Sequence, residues 1–340
     1  MKKILAALSG GVDSAVCAAL LAEQGYAVDG ATMLLHDAAQ AETDAARKTA
    51  EQLGIGFFVF DFRAEFEALV QTPFREVYRS GGTPNPCVLC NKTVKFGLFL
   101  EKALSMGYDG IATGHYARVV RNEAGRYLIR AAADRRKDQT YMFCQLSQEQ
   151  LSHLLLPMGE LTKAQAREKA AALGLASAGK SDSQDICFIP DGDYFAYLTA
   201  HGLVPQPGHF FTTDGRDLGE HRGMEAYTVG QRRGLNLACG SRVYVIGKRG
   251  ADVLIGTDAE LYTTRVRVDG VNWLAFDTPP AELRAQAKLR YTPNAAPCRI
   301  LPGENGTAEL IFDTPQRAAT PGQTAVFYDG DTLLGGGTIL

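Results

Sequence analysis

The sequence predicts a doubly wound parallel α/β sheet followed by two small β-rich domains. Short apolar runs alternate with helical stretches as far as about residue 135, a pattern typical of a parallel sheet. A glycine-rich turn follows the first apolar run directly. After about residue 201 the pattern changes to short β-like runs between proline and glycine turns, with hardly any helical periodicity. We therefore divide the 340 residues into units 1–202, 203–263 and 264–340.

The first half of the sheet is predicted from the N-terminal segments. Residues 4–8 form an apolar run, and apolar residues at helical spacing over 14–24 predict the first helix. Residues 28–35 and 56–60 have the composition of two further buried strands, with a helix over 39–53 between them. Each strand is thus connected to the next by a helix, as parallel pairing requires.

The next segment completes the sheet and then leaves it. A helix is predicted over 91–106 and a buried strand over 109–113. The short runs 119–121 and 126–130 flank a turn, which predicts a β-hairpin that departs from the sheet. Ligands of such sheets bind at the carboxyl ends of the strands, so we expect the functional site at that edge.

Composition and charge exclude several classes of protein. Basic residues number 35 and acidic residues 38, and the net charge of −3 excludes a uniformly basic nucleic-acid-binding coat. No apolar run reaches the roughly 20 residues of a membrane span, and the first residues are strand-like rather than a signal peptide. The seven cysteines form an odd, irregularly spaced set. We therefore expect a cytoplasmic protein with reduced thiols and no membrane partner.

The turn after the first strand is a candidate phosphate-binding loop. It reads Ser9-Gly10-Gly11-Val12-Asp13-Ser14 and opens the first helix. Glycine permits close approach of the backbone to a phosphate, and the helix N-terminus together with two serine hydroxyls supplies hydrogen-bond donors. A glycine pair alone is more often an ordinary tight turn, but the complete hexapeptide between a strand and a helix favours an anion site.

A second phosphate-loop pattern is rejected as a coincidence. Residues 174–181 match the Walker A spelling, but that motif needs a strand before it and a helix after it. Here a helix with Thr162 as N-cap and Gly174 as C-cap precedes, and a loop entering a strand follows. The N-terminal loop lacks a Walker lysine, which favours cleavage between the α and β phosphates and therefore adenylation.

Two cysteines are candidates for chemistry. Cys90 lies in a proline-stiffened loop before a helix expected to begin near Asn91, where the helix dipole would lower the thiol pKa. The pair Cys87 and Cys90 alone fits half a zinc site or two incidental thiols, and no second pair completes a zinc site. Cys187, taken alone, fits a buried hydrophobe. The remaining cysteines are predicted to be structural: Cys17, Cys144, Cys239 and Cys298.

These pieces occur in an order that resembles one family over nearly the whole chain. The motif series comprises residues 9–14, 83–91, 112–118, 137–139, 181–188, 227–235, 290–291 and 320–323. The first motif alone would indicate only a superfamily, whereas the series at this spacing is specific. The chain resembles the tRNA-uridine 2-sulfurtransferases, also called tRNA-specific 2-thiouridylases, of the PP-loop ATP pyrophosphatase superfamily.

The resemblance implies a fold, a reaction and a set of ATP-binding residues. The first unit would be a PP-loop domain of the adenine nucleotide alpha hydrolase-like kind, and the last unit a β-barrel that contacts tRNA. ATP with Mg²⁺ would adenylate the C2 oxygen of the flipped wobble uridine of tRNA and release pyrophosphate. The implied ATP-binding residues are Ala7, Leu8, Ser9, Gly10, Gly11, Val12, Asp13, Ser14, Met33 and Gly114.

The resemblance also assigns sulfur transfer and tRNA contacts. Cys187 would carry sulfur as a persulfide, and Cys90 would attack that persulfide and leave a Cys90–Cys187 disulfide. A persulfide or sulfide donor, such as a cysteine desulfurase relay, would supply the sulfur. The implied contacts to tRNA or its target base are Asn85, Pro86, Cys87, His115, Lys137, Asp138, Gln139, Arg290, Tyr291 and Gln323.

Two local features bear on RNA binding independently of the family. Residues 281–299 hold four basic residues and one acidic residue, a net charge of +3, which suits a basic β surface that follows phosphates. Gln231, Arg232 and Arg233 fit a solvated turn or an RNA contact equally well on composition.

The chain departs from the family pattern at Cys87, where many members have an aspartate that is thought to assist proton transfer at the target base. One interpretation is that this role is dispensable. The other is that Cys87, Cys90 and Cys187 ligate an iron–sulfur cluster with one open iron that could hold sulfide. The persulfide route needs only two of these cysteines and is favoured.

Two other functions stay open on the sequence. A PP-loop ligase that adenylates a small molecule would explain the phosphate loop but not Cys90, Cys187 or the trailing β domains. A catalytically idle RNA-binding protein would explain the β domains but not the intact loop with two motif cysteines. ATP-dependent pyrophosphate release would distinguish an enzyme from the idle protein.

Overall fold

Five parallel strands form the first sheet. The computed structural model describes residues 1–37, 40–175 and 186–340. The strands of this sheet are β1 (Lys3–Ala7), β2 (Ala27–Leu34), β3 (Phe57–Asp61), β4 (Gly110–Ala112) and β7 (Leu154–Leu155), in the spatial order β3-β2-β1-β4-β7. The predicted doubly wound parallel sheet is confirmed. The strand β7 was not predicted, because two residues are too short to show a pattern.

Four of the helices described in this part of the chain overlap the predicted ones, and the other five were not predicted. They are α1 (Val12–Glu23), α2 (Gln40–Leu53), α3 (Arg63–Phe66), α4 (Thr72–Arg79), α5 (Pro86–Cys90), α6 (Phe99–Ser105), α7 (Gln148–Ser152), α8 (Lys163–Ala172) and α9 (Tyr194–Ala200). Two π-helical turns, Glu67–Gln71 and Asn91–Leu98, connect α3 to α4 and α5 to α6. Thr162 caps α8 as predicted, in a reciprocal capping box with Gln165.

Alternate residues of β1 pack on opposite faces of the sheet. Leu5 lies in one core with Ile111 and Phe99, whereas Ile4 lies in a second core with Val16 of α1. Successive side chains of a strand point to opposite faces, so a strand that is buried on both faces is apolar throughout. This burial explains why continuous apolar runs predicted the strands.

The strand order reverses at β1. This strand pairs with β2 on one side and with β4 on the other. The chain runs outward through β2 and β3 and then returns to place β4 on the opposite side of β1. The loops after β1 and β4 therefore flank a crevice at the carboxyl edge, which is where sheets of this kind bind ligands.

The predicted hairpin is confirmed as β5 (Ala117–Arg121) and β6 (Tyr127–Ala131). Its destination was not predicted from the sequence. The strand β6 pairs with β17 (Thr332–Ile339), the last strand of the chain, through Ile129 and Leu333. The hairpin therefore ties the first domain to the C-terminal one.

The rest of the chain forms a four-stranded sheet and a closed barrel, which confirms the two β-rich domains. The central sheet contains β8 (Gly208–Thr212), β9 (Asp217–His221), β10 (Tyr244–Arg249) and β11 (Asp252–Gly256). The barrel contains β12 (Tyr262–Asn272), β13 (Leu283–Lys288), β14 (Ala296–Pro302), β15 (Ala308–Arg317), β16 (Thr324–Asp329) and β17. It closes because β12 pairs with both β15 and β17. Within the described ranges, no helix is long and apolar enough to cross a membrane.

Candidate active site at the carboxyl edge of the sheet

The loop between β1 and α1 has the tight turn that the hexapeptide predicts. Gly10 has a φ of 70°, and a Cβ there would lie 2.7 Å from the Cβ of Ala45 and 2.9 Å from the carbonyl oxygen of Glu42. Only glycine fits this position without strain. A Cβ at Gly11 would meet only the Ser9 hydroxyl, at 3.5 Å. The space beside Gly11 is therefore open to a ligand, whereas the space beside Gly10 is filled by α2.

Ser9 and Ser14 hold this loop together. The Ser14 hydroxyl donates to the carbonyl oxygen of Gly11 at 3.0 Å and accepts from the backbone N–H of Ser9 at 3.1 Å. The two hydroxyl oxygens lie 3.2 Å apart, and Ser9 is the donor because the Ser14 proton is used at Gly11. These bonds fix the turn that presents the N-terminus of α1, the group that binds anions.

The charge of Asp13 is compensated from outside the loop. The Lys163 ammonium lies 2.8 Å from both carboxylate oxygens of Asp13, and the Tyr116 hydroxyl donates to one of them at 2.8 Å. The Lys163 side chain is only 11% exposed. It cancels a negative charge that would otherwise repel a phosphate. The sequence patterns did not single out Lys163; the only local signal was its place directly after the N-cap Thr162.

Gly114 brings the loop after β4 against the phosphate loop. A Cβ at Gly114 would lie 2.7 Å from the carbonyl carbon of Asp13 and from the backbone nitrogen of Ser14. The backbones of the loops after β1 and β4 therefore contact each other in the crevice where the strand order reverses. Of the other residues implied for ATP, Ala7 ends β1, Leu8 and Val12 are buried, and Met33 is half-buried on β2.

Residues 83–91, here called the cysteine loop, become helical earlier than predicted. Asn85 is the N-cap of α5, its side-chain oxygen accepts from the backbone N–H of Val88 at 3.3 Å, and Pro86 is the first helical residue. The expected start near Asn91 is wrong, because the Asn-Pro signal precedes both cysteines. Cys87 therefore lies in the first turn of the helix, and Cys90 lies beyond it.

The predicted lowering of the Cys90 pKa is also wrong. Cys90 is 7% exposed and packs among apolar side chains of α3 and of the two π-helical turns. Burial raises the pKa of its thiol to about 12; the charges of Cys187 and Cys87 add to this effect and Lys95 opposes it. Cys90 is a protonated thiol in this conformation, so nucleophilic attack requires a change in its surroundings.

Cys187 lies on a separate segment that packs beside the Cys90 cluster. The ring of Phe188 lies 5.6 Å from that of Phe66, which packs with Cys90. Cys187 itself is exposed, so the interpretation as a buried hydrophobe is wrong and Phe188 makes the apolar contact instead. Residues 181–185 of its motif, and the rejected Walker-like stretch from residue 176 onwards, lie outside the described residues.

These thiols do not fit an iron–sulfur site as they are arranged. Across residues 1–37, 40–175 and 186–340, no three His, Cys, Asp or Glu side chains are placed to share a metal ion. All seven cysteines are free thiols. Of those predicted to be structural, Cys17, Cys144 and Cys298 are buried and Cys239 is half-buried.

The residues implied to contact tRNA come together from three parts of the chain. The Gln323 amide donates to the carbonyl oxygens of Thr83 and Pro84, each at 3.1 Å. Asn85 donates to the Tyr141 hydroxyl at 3.3 Å, and this hydroxyl donates to a backbone carbonyl of β16 at 2.7 Å. The cysteine loop is therefore docked on the barrel.

Several of these side chains are engaged within the protein. The Asp138 carboxylate accepts from the Thr140 hydroxyl at 2.6 Å, and the Gln139 oxygen accepts from the backbone N–H of Tyr116 at 2.9 Å. The Tyr291 hydroxyl donates to the carbonyl oxygen of Asp138 at 3.1 Å, and the tyrosine is 52% exposed. Asp138 and Gln139 thus shape the site, whereas the ring of Tyr291 is available to a ligand. Lys137 is half-buried beside them.

His115 is a neutral imidazole. Its Nδ1 lies 2.8 Å from the Thr113 hydroxyl, and its ring packs against Phe96 and Phe143. Burial lowers the pKa of His115 to about 3, and the Lys95 charge acts in the same direction. At neutral pH the ring can stack on a base or hydrogen-bond to it, but it cannot pair with phosphate as a cation.

The expected basic surface over residues 281–299 is only partly neutralised, because two of its four basic side chains are ion-paired. Each of its four basic side chains has a partner within the protein: Arg284 pairs with Asp313, Arg299 with Glu282, Lys288 lies over the Tyr328 ring, and Arg290 donates to the carbonyl oxygens of Arg317 and Ala318. Asp313 lies on β15, so a charge count along one segment missed it.

Three family models match consecutive parts of the chain. The tRNA methyl transferase HUP domain matches residues 2–191, the tRNA methyl transferase PRC-barrel domain matches 197–256, and the aminomethyltransferase beta-barrel domain matches 263–339. The matches cover the parallel sheet, the central sheet and the closed barrel in turn.

Curated relatives match the chain from end to end. The tRNA-specific 2-thiouridylase MnmA of Acetivibrio thermocellus is 45% identical over 99% of this chain and 99% of that protein. The protein of the same name from Carboxydothermus hydrogenoformans is 46% identical, over 99% and 97% of the two chains, and the one from Chloroflexus aggregans is 45% identical, over 100% and 98%. The resemblance inferred from the motif series is confirmed, and the chain belongs to the tRNA-specific 2-thiouridylase family.

Proposed function

We propose that the protein catalyses the ATP-dependent 2-thiolation of the wobble uridine of tRNA. One observation carries the proposal: the phosphate loop and the cysteine loop lie at the same edge of the sheet. The phosphate loop follows β1, and Cys90 packs beside Leu35 and Phe62, the residues that follow β2 and β3. Activation and sulfur transfer at one ring carbon need such proximity. Membership of the family supports the same reaction.

In the first step the uridine is activated. The C2 oxygen of the flipped base attacks the α-phosphorus of ATP, the bond to the β-phosphate oxygen breaks, and pyrophosphate leaves. The N-terminus of α1 binds the phosphates in the space left by Gly11, while Lys163 neutralises Asp13. Mg²⁺ enters with the nucleotide as part of the substrate. The uncharged ring of His115 is available to the base.

In the second step sulfur replaces oxygen. The terminal sulfur of a Cys187 persulfide attacks C2 of the adenylated uridine and forms the new C–S bond. The Cys90 thiolate attacks the inner sulfur, the S–S bond of the persulfide breaks, and its electron pair stays on the sulfur bound to C2. That pair forms the thiocarbonyl bond as AMP departs with the former C2 oxygen. A Cys90–Cys187 disulfide results, and a thiol reductant returns it to two thiols.

The three units have separate parts in this scheme. Residues 1–202 carry the chemistry, residues 203–263 join the other two units, and residues 264–340 dock the cysteine loop and contact tRNA. A persulfide or sulfide donor, such as a cysteine desulfurase relay, loads Cys187. The cytoplasm is the compartment that keeps such thiols reduced.

The test is nucleoside mass spectrometry of unmodified tRNA after incubation with protein, Mg-ATP and a persulfide donor. We expect 2-thiouridine with the wild type and with Cys87→Ser, and none with Cys90→Ser or Cys187→Ser. Cys239→Ser is the matched control, because it makes the same exchange at a half-buried cysteine that belongs to neither the phosphate loop nor the cysteine loop. All variants should still release pyrophosphate when tRNA and ATP are both present.

The other outcomes separate the alternatives. Loss of thiolation in Cys87→Ser as well would favour the iron–sulfur route, in which three thiolates are needed. No 2-thiouridine from the wild type in an anaerobic, iron-replete reaction would overturn the proposal and favour adenylation of a small molecule.

A further inference from the structure

The loop before β10, residues 227–243 and here called the arginine loop, contains arginines that have no ion-pair partner among the described residues. Residues 222–249 contain six basic residues and one acidic residue, a net charge of +5 in a chain whose net charge is −3. Arg232, Arg233 and Arg242, here called the arginine loop residues, are exposed. Their guanidinium groups form no ion pair or hydrogen bond with any residue that the structure describes.

Three of the exposed arginines of the barrel have carboxylate partners, whereas Arg267 forms no ion pair with the described residues. Arg265, Arg284 and Arg299 each pair with a carboxylate. Such surface pairs contribute little to stability, so their absence from the arginine loop does not weaken the fold. Three unpaired guanidinium groups over residues 232–242 repel one another unless an anion joins them. The loop therefore has the charge of a binding surface for an anion.

The backbone of the arginine loop is anchored. The N–H of Gly230 donates to the carbonyl oxygen of Val245 at 2.8 Å, and the N–H of Val245 donates to that of Gln231 at 2.9 Å. The Gln231 side chain accepts from the N–H of Thr228 at 3.0 Å and donates to the carbonyl oxygen of Arg233 at 3.0 Å. Gln231 is therefore structural, and it positions the arginines that follow it.

A shallow cavity of about 280 Å³ opens in this loop. Four polar side chains line it, and all of them can donate hydrogen bonds: Arg232, Asn236, Ser241 and Arg242. A guanidinium group binds a phosphate through two parallel hydrogen bonds, which amide and hydroxyl donors can supplement. The cavity thus suits a phosphate group better than a cationic or apolar partner.

The arginine loop begins where the cysteine loop meets the barrel. The Thr228 hydroxyl lies 3.3 Å from that of Thr83, at the start of the cysteine loop. A Cβ at Gly230 would lie 3.0 Å from the Cβ of Ala318, whose carbonyl oxygen accepts from Arg290 at 3.4 Å. The surface therefore continues from the residues proposed to contact tRNA onto the central domain.

We propose that Arg232, Arg233 and Arg242 form a second tRNA contact, which binds the phosphodiester backbone of the tRNA whose wobble uridine occupies the thiolation site. The inference rests on the proposed function and adds the central domain to the tRNA interface. A single flipped base offers little contact area, so phosphate contacts outside the site set the affinity and the register of the tRNA. The barrel contributes less per arginine, because its exposed Arg265, Arg284 and Arg299 are already paired with carboxylates.

The test is the affinity of the full-length protein for unmodified tRNA, measured by fluorescence anisotropy over a series of salt concentrations without ATP. The loop variant carries Arg232→Gln, Arg233→Gln and Arg242→Gln. The matched control removes the same charge from the barrel: Arg265→Gln, Arg284→Gln and Arg299→Gln. We expect the loop variant to lower the slope of log affinity against log salt by about 2 to 3, and the control to change it by less than about 1.

Activity gives an independent measurement. The loop variant should keep the wild-type kcat for thiolation and raise the KM for tRNA at least tenfold. A lowered kcat at saturating tRNA would place these arginines in the reaction site and contradict the inference. An unchanged salt slope in the loop variant, or equal losses in loop and barrel variants, would also overturn it. If the wild type bound no tRNA, the proposed function itself would fail and this inference with it.

Discussion

The phosphate loop and the cysteine loop lie at the same edge of the sheet, but they differ in how many of the groups needed for function are already in place. The phosphate loop has its glycine turn, its hydroxyl bonds and the Asp13–Lys163 pair in place. At the thiol site, Cys90 of the cysteine loop is buried and protonated, whereas Cys187 is exposed and lies on a different segment. The first site is ready to bind its ligand, whereas the second lacks a thiolate.

The difference follows from what each ligand or reaction needs. A phosphate needs backbone donors and a compensated charge, which a strand, a turn and a helix supply together. Sulfur transfer needs a thiolate, and a thiolate in the free protein would also react with oxidants. We therefore predict that nucleotide binds to a preformed site, while Cys90 becomes reactive only when tRNA changes its surroundings.

The largest effect is expected in the reactivity of Cys90. With a pKa of about 12, its thiolate fraction at neutral pH is roughly a thousandfold below that of an ordinary cysteine. Labelling by iodoacetamide, followed for each cysteine by peptide mass spectrometry, should rise about tenfold per pH unit from pH 7 to 10 without a plateau. The same shift lowers stability above about pH 8.5, because the unfolded chain releases this proton first.

The urea-unfolded chain is the control for this measurement. There the Cys90 labelling rate should level off near pH 9, as for an ordinary thiol. Unmodified tRNA with ATP should accelerate labelling in the folded protein. A plateau below pH 9 in the free folded protein would contradict the comparison, since the thiol site would then be as complete as the phosphate loop.

The next effect is expected from Lys163→Met. Removal of the ammonium leaves Asp13 partly buried without its counter-charge, which should lower the free energy of unfolding by about 3 kcal/mol and weaken ATP binding at least tenfold. The double variant with Asp13→Asn should recover most of the stability, because neither charge remains. Urea unfolding and ATP titration measure the two effects.

Lys169→Met provides the matched control on the same helix. Lys169 pairs with Glu23 at 2.7 Å on the surface, where loss of the pair should cost less than about 1 kcal/mol. Equal losses from Lys163→Met and from the double variant would mean that charge compensation of Asp13 is not what Lys163 supplies.

The sequence predicted the parts of the site that depend on neighbouring residues. The turn at Gly10, the start of α1 and the cap Thr162 each follow from a few consecutive residues. The contact between Asp13 and Lys163 joins residues 150 positions apart, so no local pattern reports it. The same holds for the hairpin strand β6, whose pairing with β17 depends on the whole fold.

The wrong prediction for the pKa of Cys90 also comes from reading only neighbouring residues. Its spacing to Asn91 favoured a helix N-terminus, but the stronger signal of Asn85 and Pro86 lies before it. Its burial comes from side chains of a separate segment, among them Phe66 and Val70. Cys90 lies beyond the first turn of its helix, where the dipole has little effect, so desolvation decides the pKa of the thiol.

A smaller effect is expected from the two glycines of the phosphate loop. Gly10→Ala places a methyl group against α2 at a positive φ and should lower the free energy of unfolding by about 2 kcal/mol. Gly11→Ala has room for its methyl group and should change stability by less than about 1 kcal/mol. It should nevertheless weaken ATP binding, because the methyl group occupies the ligand's space. Unchanged ATP affinity in Gly11→Ala would show that the open space is not the phosphate site.

The smallest effect is expected from Thr162→Ala, which removes the cap of α8. The cap is worth about 1 kcal/mol of stability. ATP affinity should fall less than threefold, because the N–H of Lys163 also donates to Asp134 at 3.0 Å and keeps the helix start in place. Ser147→Ala is the control, since it removes the equivalent capping box from α7. If Thr162→Ala weakened ATP binding as much as Lys163→Met does, the helix start rather than the ammonium would complete the phosphate loop.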